Sequence, residues 1–236
     1  MRKAQSHVVG VAVMLGVTVI ALGTITAGIG TVFDAHAARA DATRVADGFA
    51  SALEPVETTG PREGTVSFGE GNLETADREL RIVRNGSRVA TIQVDAFIYR
   101  QDRRRVAAVA GGIVRGRQEG AWLRRSPPIV ATPEAGVLAV GAVKLNASHV
   151  ATGGGGRVTL ETNVTHQRTS LGPGTYTVEL ETGTPDAFER YFRASNASVS
   201  RLDRDGDGIP SVVAQYPGER TAYLVVHDLH LEVSHG

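Results

Sequence analysis

Val8-Val9-Gly10-Val11-Ala12-Val13-Met14-Leu15-Gly16-Val17-Thr18-Val19-Ile20-Ala21-Leu22-Gly23-Thr24-Ile25-Thr26-Ala27-Gly28-Ile29-Gly30-Thr31-Val32-Phe33 is an uncharged apolar run behind a short basic tip, Arg2-Lys3-Ala4-Gln5. At about 1.5 Å per residue, about 26 residues make a helix of roughly 39 Å, against a hydrocarbon layer about 30 Å thick. The reading is a membrane-spanning helix. The run is longer than the roughly 7–15 residue apolar core of a secretory signal. Helical sequence also continues past it. Ala38, Ala42, Val45, Phe49 and Leu53 fall at helical spacing opposite Arg39, Asp41, Arg44 and Asp47. Gly48 interrupts an Ala-rich segment, and Pro55 stops it. These signals predict one helix over residues 5–53, a linker over 54–63 and a head over 64–236. Ala35-His36-Ala37 also fits a cleavable small-residue site, which is the alternative. Ala12 with Gly16, and Gly23 with Ala27, place small residues four apart, which allows close helix–helix approach; the alternative is that Gly and Ala are simply frequent in membrane helices.

Lys3-Ala4 before the apolar run, followed by Gln5-Ser6, resembles the prepilin-peptidase site of archaeal type IV pilin-like proteins. Ser6-His7-Val8-Val9-Gly10-Val11 is similar to the Ser-Pro-Val-Ile-Gly opening of haloarchaeal pilins, with His7 in place of Pro. The resemblance implies a leader of residues 1–4, cut between Ala4 and Gln5 on the cytoplasmic side. It also implies a retained apolar helix that anchors the precursor and later meets like subunits in a filament. The partners implied are the membrane, other pilins and a prepilin peptidase.

Composition is compatible with export. The chain of 236 residues leaves roughly 180 after helix and linker, enough for one ordinary domain. It has no cysteine, so the head relies on its core alone. Formal net charge is zero, which leaves no nucleic-acid footprint. Four of its five asparagines stand in N-x-Ser/Thr: Asn85-Gly86-Ser87, Asn146-Ala147-Ser148, Asn163-Val164-Thr165 and Asn196-Ala197-Ser198. Serine and threonine are about one residue in seven, so chance puts about one asparagine there. The sequons predict exposed acceptor sites on an extracellular head. Asn85-Gly86 between apolar strands is also a hairpin-turn signal.

The head reads as mainly β, a sandwich or rolled sheet. Short alternating runs lie at 80–84, 88–99, 157–165, 175–182 and 221–233. Apolar runs over 105–114 and 137–145 suit strands buried on both faces. One short helix is expected from Thr184 as N-cap and Pro185 at the first position, with Phe188, Tyr191 and Phe192 on one face. The predicted fold class is α+β: a long N-terminal membrane-spanning helix, then a mainly β head with one short helix.

Asp203-Arg204-Asp205-Gly206-Asp207-Gly208-Ile209-Pro210-Ser211 is the one motif with metal chemistry. Carboxylates at positions one, three and five converge when glycine at position six turns the chain sharply. The Ile209 carbonyl and Ser211 extend the candidate calcium ligands. Ala214 stands where an EF-hand carries its bidentate Glu, so Asp186 or Glu189 would have to complete the set. Affinity would be weak, about 0.1–1 mM. The alternative is a solvated Asp/Gly turn between helix and strand.

No phosphate-cradling loop, nucleophile elbow or zincin helix is present, and the reading is not an enzyme. His227-Asp228-Leu229-His230 falls in an expected strand, where histidines three apart point to opposite faces. Arg103-Arg104-Arg105 and Arg124-Arg125 read as solvated loop charges. Two functions fit. One is a pilin-like subunit of a surface filament with a glycosylated head. The other is a singly anchored, single-pass ectodomain that binds a partner without polymerising.

Overall fold

The computed structural model describes Met14, Val17 and residues 36–54, 59–117, 120–132, 136–148 and 150–235. Its chain divides into two units, Met1–Ala40 and Asp41–Gly236. The described residues of the first unit, Met14, Val17 and 36–40, are helical. The second unit holds all the strands among the described residues.

The expected fold class is corrected here. The described helices are α1, residues 36–52, and α2, Pro185–Ala194; the fold is otherwise β. Among the described residues no helix is long and apolar enough to cross a membrane, so the long helix over 5–53 is not borne out. Most of the run Val8–Phe33 that suggested it, and the leader residues Lys3, Ala4 and Gln5, lie outside the described residues. Residues 36–52 are the described part of α1. From Asp41 on it is an amphipathic helix lying on a protein core. Ala42, Val45, Ala46, Phe49, Ala52 and Leu53 are buried, while Arg44 and Asp47 stay at the surface.

Three sheets build the second unit. The middle one has strand order β11-β2-β5-β6-β7-β8, formed by Ala151–Gly153, Asn72–Ala76, Ala96–Gln101, Arg104–Val109, Gly112–Gly116 and Trp122–Arg125. Its side chains alternate between two cores. Ala96, Ile98, Ala107, Val109 and Val114 enter one, and Phe97, Tyr99, Val106, Ala108 and Ile113 enter the other. Burial on both faces explains the unbroken apolar runs in this part of the sequence.

The first core is closed by the sheet β14-β15-β13-β3-β4: Ser198–Leu202, Ser211–Gln215, Tyr176–Glu181, Glu79–Arg84 and Ser87–Gln93. Helix α2 adds Phe188 and Phe192 to it. Thr184 is the N-cap and Pro185 opens the helix as expected, but the Thr184 side chain makes no cap bond. The third sheet has strand order β1-β12-β16-β10-β9: Gly60–Phe68, Gly156–Gly174, Arg220–Asp228, Val137–Lys144 and Ile129–Thr132. With α1, its β1 and β12 close the second core, while Ile129, Leu138, Val140, Ala222 and Leu224 of β9, β10 and β16 enter the first. A last strand, β17 (Glu232–His235), pairs with β12. The β10–β16 pair is parallel.

Several expected strands are shorter than their apolar runs. The run 88–99 is two strands in two sheets, broken at Asp95, whose φ is 53°. The run 105–114 is a hairpin turning at Ala110-Gly111. The run 221–233 breaks after Asp228, with His230 at φ 43°. Strand β1 starts at Gly60, inside the expected linker. Pro61 is tolerated there because β1 is an edge strand. The Asn85-Gly86 hairpin forms as expected, with φ values of 50° and 79°.

Helix α1 lies against β1 through two glycines. A Cβ at Gly64 would come 2.8 Å from Ala52 Cα, and one at Gly48 would come 3.1 Å from Val66 Cγ2. The glycine that looked like a flaw in the helix is what admits β1. Phe49 then reaches Phe97, ring centroids 5.0 Å apart. Three polar bonds fix the same helix: Gly69 N donates to the Asp41 carboxylate (2.9 Å), Arg124 Nε to Asp47 (3.2 Å) and Arg125 Nη1 to the Leu53 carbonyl (2.9 Å). Arg124 and Arg125 are therefore clamps on α1, not idle loop charges. We expect Gly64→Ala to destabilise the fold by about 1–3 kcal/mol through overpacking, and Phe49→Ala by about 3–5 kcal/mol through a cavity. Adding Ala52→Gly to Gly64→Ala should recover part of the loss. Urea melts check this, and a neutral Gly64→Ala would contradict the close contact.

Candidate functional site

The aspartate loop joins β14 to β15, so it is a strand-to-strand connection and not the expected turn between helix and strand. Asp203, Asp205 and Asp207 are exposed, with carboxylate oxygens within 4.8 Å of one another. Loop-internal bonds shape it. Asp203 accepts from Gly206 N (2.9 Å) and Gly208 N (3.2 Å), and Asp207 accepts from Ile209 N (2.7 Å). Gly206 at φ 75° permits the turn. A carboxylate has about four lone-pair sites, so each keeps acceptor capacity for a cation.

The other expected ligands are placed differently. Ser211 is the first residue of β15, buried, and its hydroxyl accepts from Arg81 Nη1 at 3.3 Å, which withdraws it from the loop. Ile209 gives its N–H to Asp207 and lines a neighbouring groove. Asp186 and Glu189 are both held by Arg201, and Glu189 also by Arg193 at 2.8 Å. The Arg201 hydrogen bond, the largest influence on each, holds both carboxyls below the usual range. They do not complete a set with the loop.

The carboxylate that does face the loop is Glu181. It lines a cavity of about 480 Å³ with Asp77, Arg78, Glu79, Asp205 and Asp207. Burial pushes its carboxyl up, Arg78 and Arg81 oppose this, and Asp205 and Asp207 add to it. Beneath the loop, Arg78 lies 3.4 Å from Glu181, Arg81 lies 2.8 Å from Glu79, and Arg204 reaches back to Glu179 with Nε at 3.0 Å. Arg204 stands between two of the aspartates, so this pair pins the loop to the sheet. Alternation in Thr177-Val178-Glu179-Leu180-Glu181 was the available signal for these acids.

All four sequon asparagines are exposed, and so are Ser87, Ser148, Thr165 and Ser198. Asn85, Asn146 and Asn196 sit at positive φ, and Asn163 lies inside β12 opposite Pro61 of β1. Asn85 Oδ1 accepts from the backbone N–H (2.9 Å) and hydroxyl (3.1 Å) of Thr175. Asn146 Nδ2 instead donates to Asp228 at 3.1 and 3.3 Å.

His227 and His230 share no site. His227 is buried in β16 directly opposite His166 of β12, with Nδ1 atoms 2.8 Å apart. His230, beyond the strand, meets the Asn163 carbonyl at 3.1 Å. Burial, then His166, lowers the His227 pKa to about 4. The unfolded chain protonates this residue near 6.5. Between those values the unfolded state takes a proton that the folded state refuses, so stability falls as pH drops from about 6.5 to about 4. Urea melts at pH 7 and pH 5 should differ less for His227→Gln than for the parent. An unchanged difference would contradict the assignment.

A family described as "Family of unknown function (DUF7289)" matches residues 3–232, and the chain belongs to that family. No curated protein and no solved structure matches the chain.

Proposed function

We propose that the chain is an exported structural subunit of a cell-surface filament, pilin-like in its leader, kept at the membrane by its apolar N-terminal segment, with a glycosylated β-rich head facing outward. The observation that carries this reading is the exposure of every sequon. Each of the four asparagines lies at the surface with its hydroxyl partner, as an acceptor site requires. Lys3, Ala4 and Gln5 supply the leader on the pilin side of the argument. The second reading, an anchored ectodomain that binds a partner without polymerising, draws support from the charged cavities beside the aspartate loop.

Intact mass of the protein from its native host separates the two. The filament reading expects loss of residues 1–4 and a gain of glycan mass. An intact Met1, or cleavage after Ala37, would contradict it. Glycopeptide mapping should find Asn85 and Asn196 occupied ahead of Asn146, whose amide is engaged by Asp228, and Asn163, which sits within paired strands. If Asn85 and Asn196 are bare, the export argument loses its support.

The aspartate loop belongs to the same outward face in this reading, where millimolar calcium is a fitting ligand for a weak site of about 0.1–1 mM. A cation that binds only the folded state stabilises it by about 2.7 kcal/mol at a hundredfold excess over Kd. The protein should melt higher in calcium than in chelator, and Asp205→Ala with Asp207→Ala should remove the difference. Equal melting curves would leave the loop a turn.

A further inference from the structure

On the other side of Ile209 lies an open groove of about 670 Å³ whose wall carries five arginines and one carboxylate. Arg100 is the penultimate residue of β5, Arg103 turns the hairpin beside Asp102, Arg104 and Arg105 open β6, and Arg117 follows β7. In a chain of zero net charge this is a local concentration of one sign. The strand register makes it sharper. Arg100 and Arg105 are directly opposite in the β5–β6 ladder, a placement where like charges destabilise the pair. Glu74 answers Arg100 at 2.8 Å. Arg105 is half-buried, and its Nε is enclosed without a hydrogen-bond partner among the described residues. Gly183 gives its guanidinium room: a Cβ there would come 2.7 Å from Arg105 Nη1. Burial, with Arg100 and Arg78 next, lowers the Arg105 pKa to about 10.

A guanidinium taken out of water beside others of its kind is unfavourable unless an anion meets it. Planar guanidinium forks match tetrahedral oxyanions with paired charge-assisted hydrogen bonds. We propose that this groove binds a phosphate or sulfate group, with Arg105 as the half-buried anchor and Arg103 and Arg117 closing on it from the rim. Ile209 forms part of the wall, so the groove and the aspartate loop are adjacent sites of opposite sign.

The site stands independently of export and of filament assembly, and its test uses the purified full-length chain. Sodium phosphate and sodium sulfate are titrated against sodium chloride at matched ionic strength, reading melting temperature and calorimetric heat. Phosphate or sulfate should give saturable stabilisation that chloride does not. Arg103→Ala with Arg117→Ala changes only exposed rim residues, so it should fold as the parent does in chloride while binding the oxyanion about tenfold more weakly or worse. Arg105→Lys keeps the charge but loses the fork, and should also weaken binding. Glucose 6-phosphate, glucose 6-sulfate and phosphatidylglycerol vesicles then separate a carbohydrate source from a lipid one by which of them the rim variant fails to bind. If phosphate and sulfate act no differently from chloride, or the rim variant binds like the parent, the proposal is overturned.

Discussion

The β5–β6 hairpin is buried on both faces, and the rest of the second unit follows from that constraint. Phe97 and Tyr99 leave one side of β5 while Ala96 and Ile98 leave the other, and each side must be covered. A sheet with two apolar faces is not stable with only one of them packed. On one side the cover is the sheet containing β3, β13 and β15 together with α2. On the other it is β1, β12 and the part of α1 that begins at Asp41. That second cover is thin, because α1 meets β1 at Gly48 and Gly64, where no larger residue fits. Ion pairs and backbone bonds from Asp47, Arg124, Arg125 and Gly69 then hold the helix in register with the strands.

The same constraint decides what was legible in the sequence. Amphipathic elements were readable because one face is polar. The α1 stripe of Ala42, Val45, Phe49 and Leu53 is buried, and α2 starts where Thr184-Pro185 places it. Elements buried on both faces lose that contrast, so apolar runs hid their own breaks. The turns at Asp95, Ala110 and His230 put non-glycine residues at positive φ inside otherwise continuous apolar runs, so the runs masked them. The long N-terminal helix was an extrapolation from continuous apolar and Ala-rich sequence. Beyond Asp41 the segment's charges sit on one face and its small residues on the other, which suits packing on a sheet.

Charge tells a similar story at the candidate sites. The convergence of Asp203, Asp205 and Asp207 was readable, because alternate carboxylates with Gly206 before the last of them are brought together by a sharp turn. Ser211 was not, since whether it joined the loop or the strand depended on Arg81, 130 positions away. The arginine groove was hidden for the same reason. Arg103 to Arg105 look like ordinary hairpin charges until the β5–β6 register sets Arg100 against Arg105 and the β7 end brings Arg117 to the rim. Net neutrality conceals both sites, since it averages an acidic loop and a basic groove that lie side by side.

The central claim is that α1 from Asp41 onward is an integral cover of the β5–β6 sheet. Native-state hydrogen exchange on the full-length chain tests it most directly. Amides of residues 46–52 should be as protected as those of β5 and β6, and should exchange only with the same global opening. If these helix amides exchange far faster, by a separate local opening that leaves the β5–β6 amides protected, the helix is an appendage and the account fails.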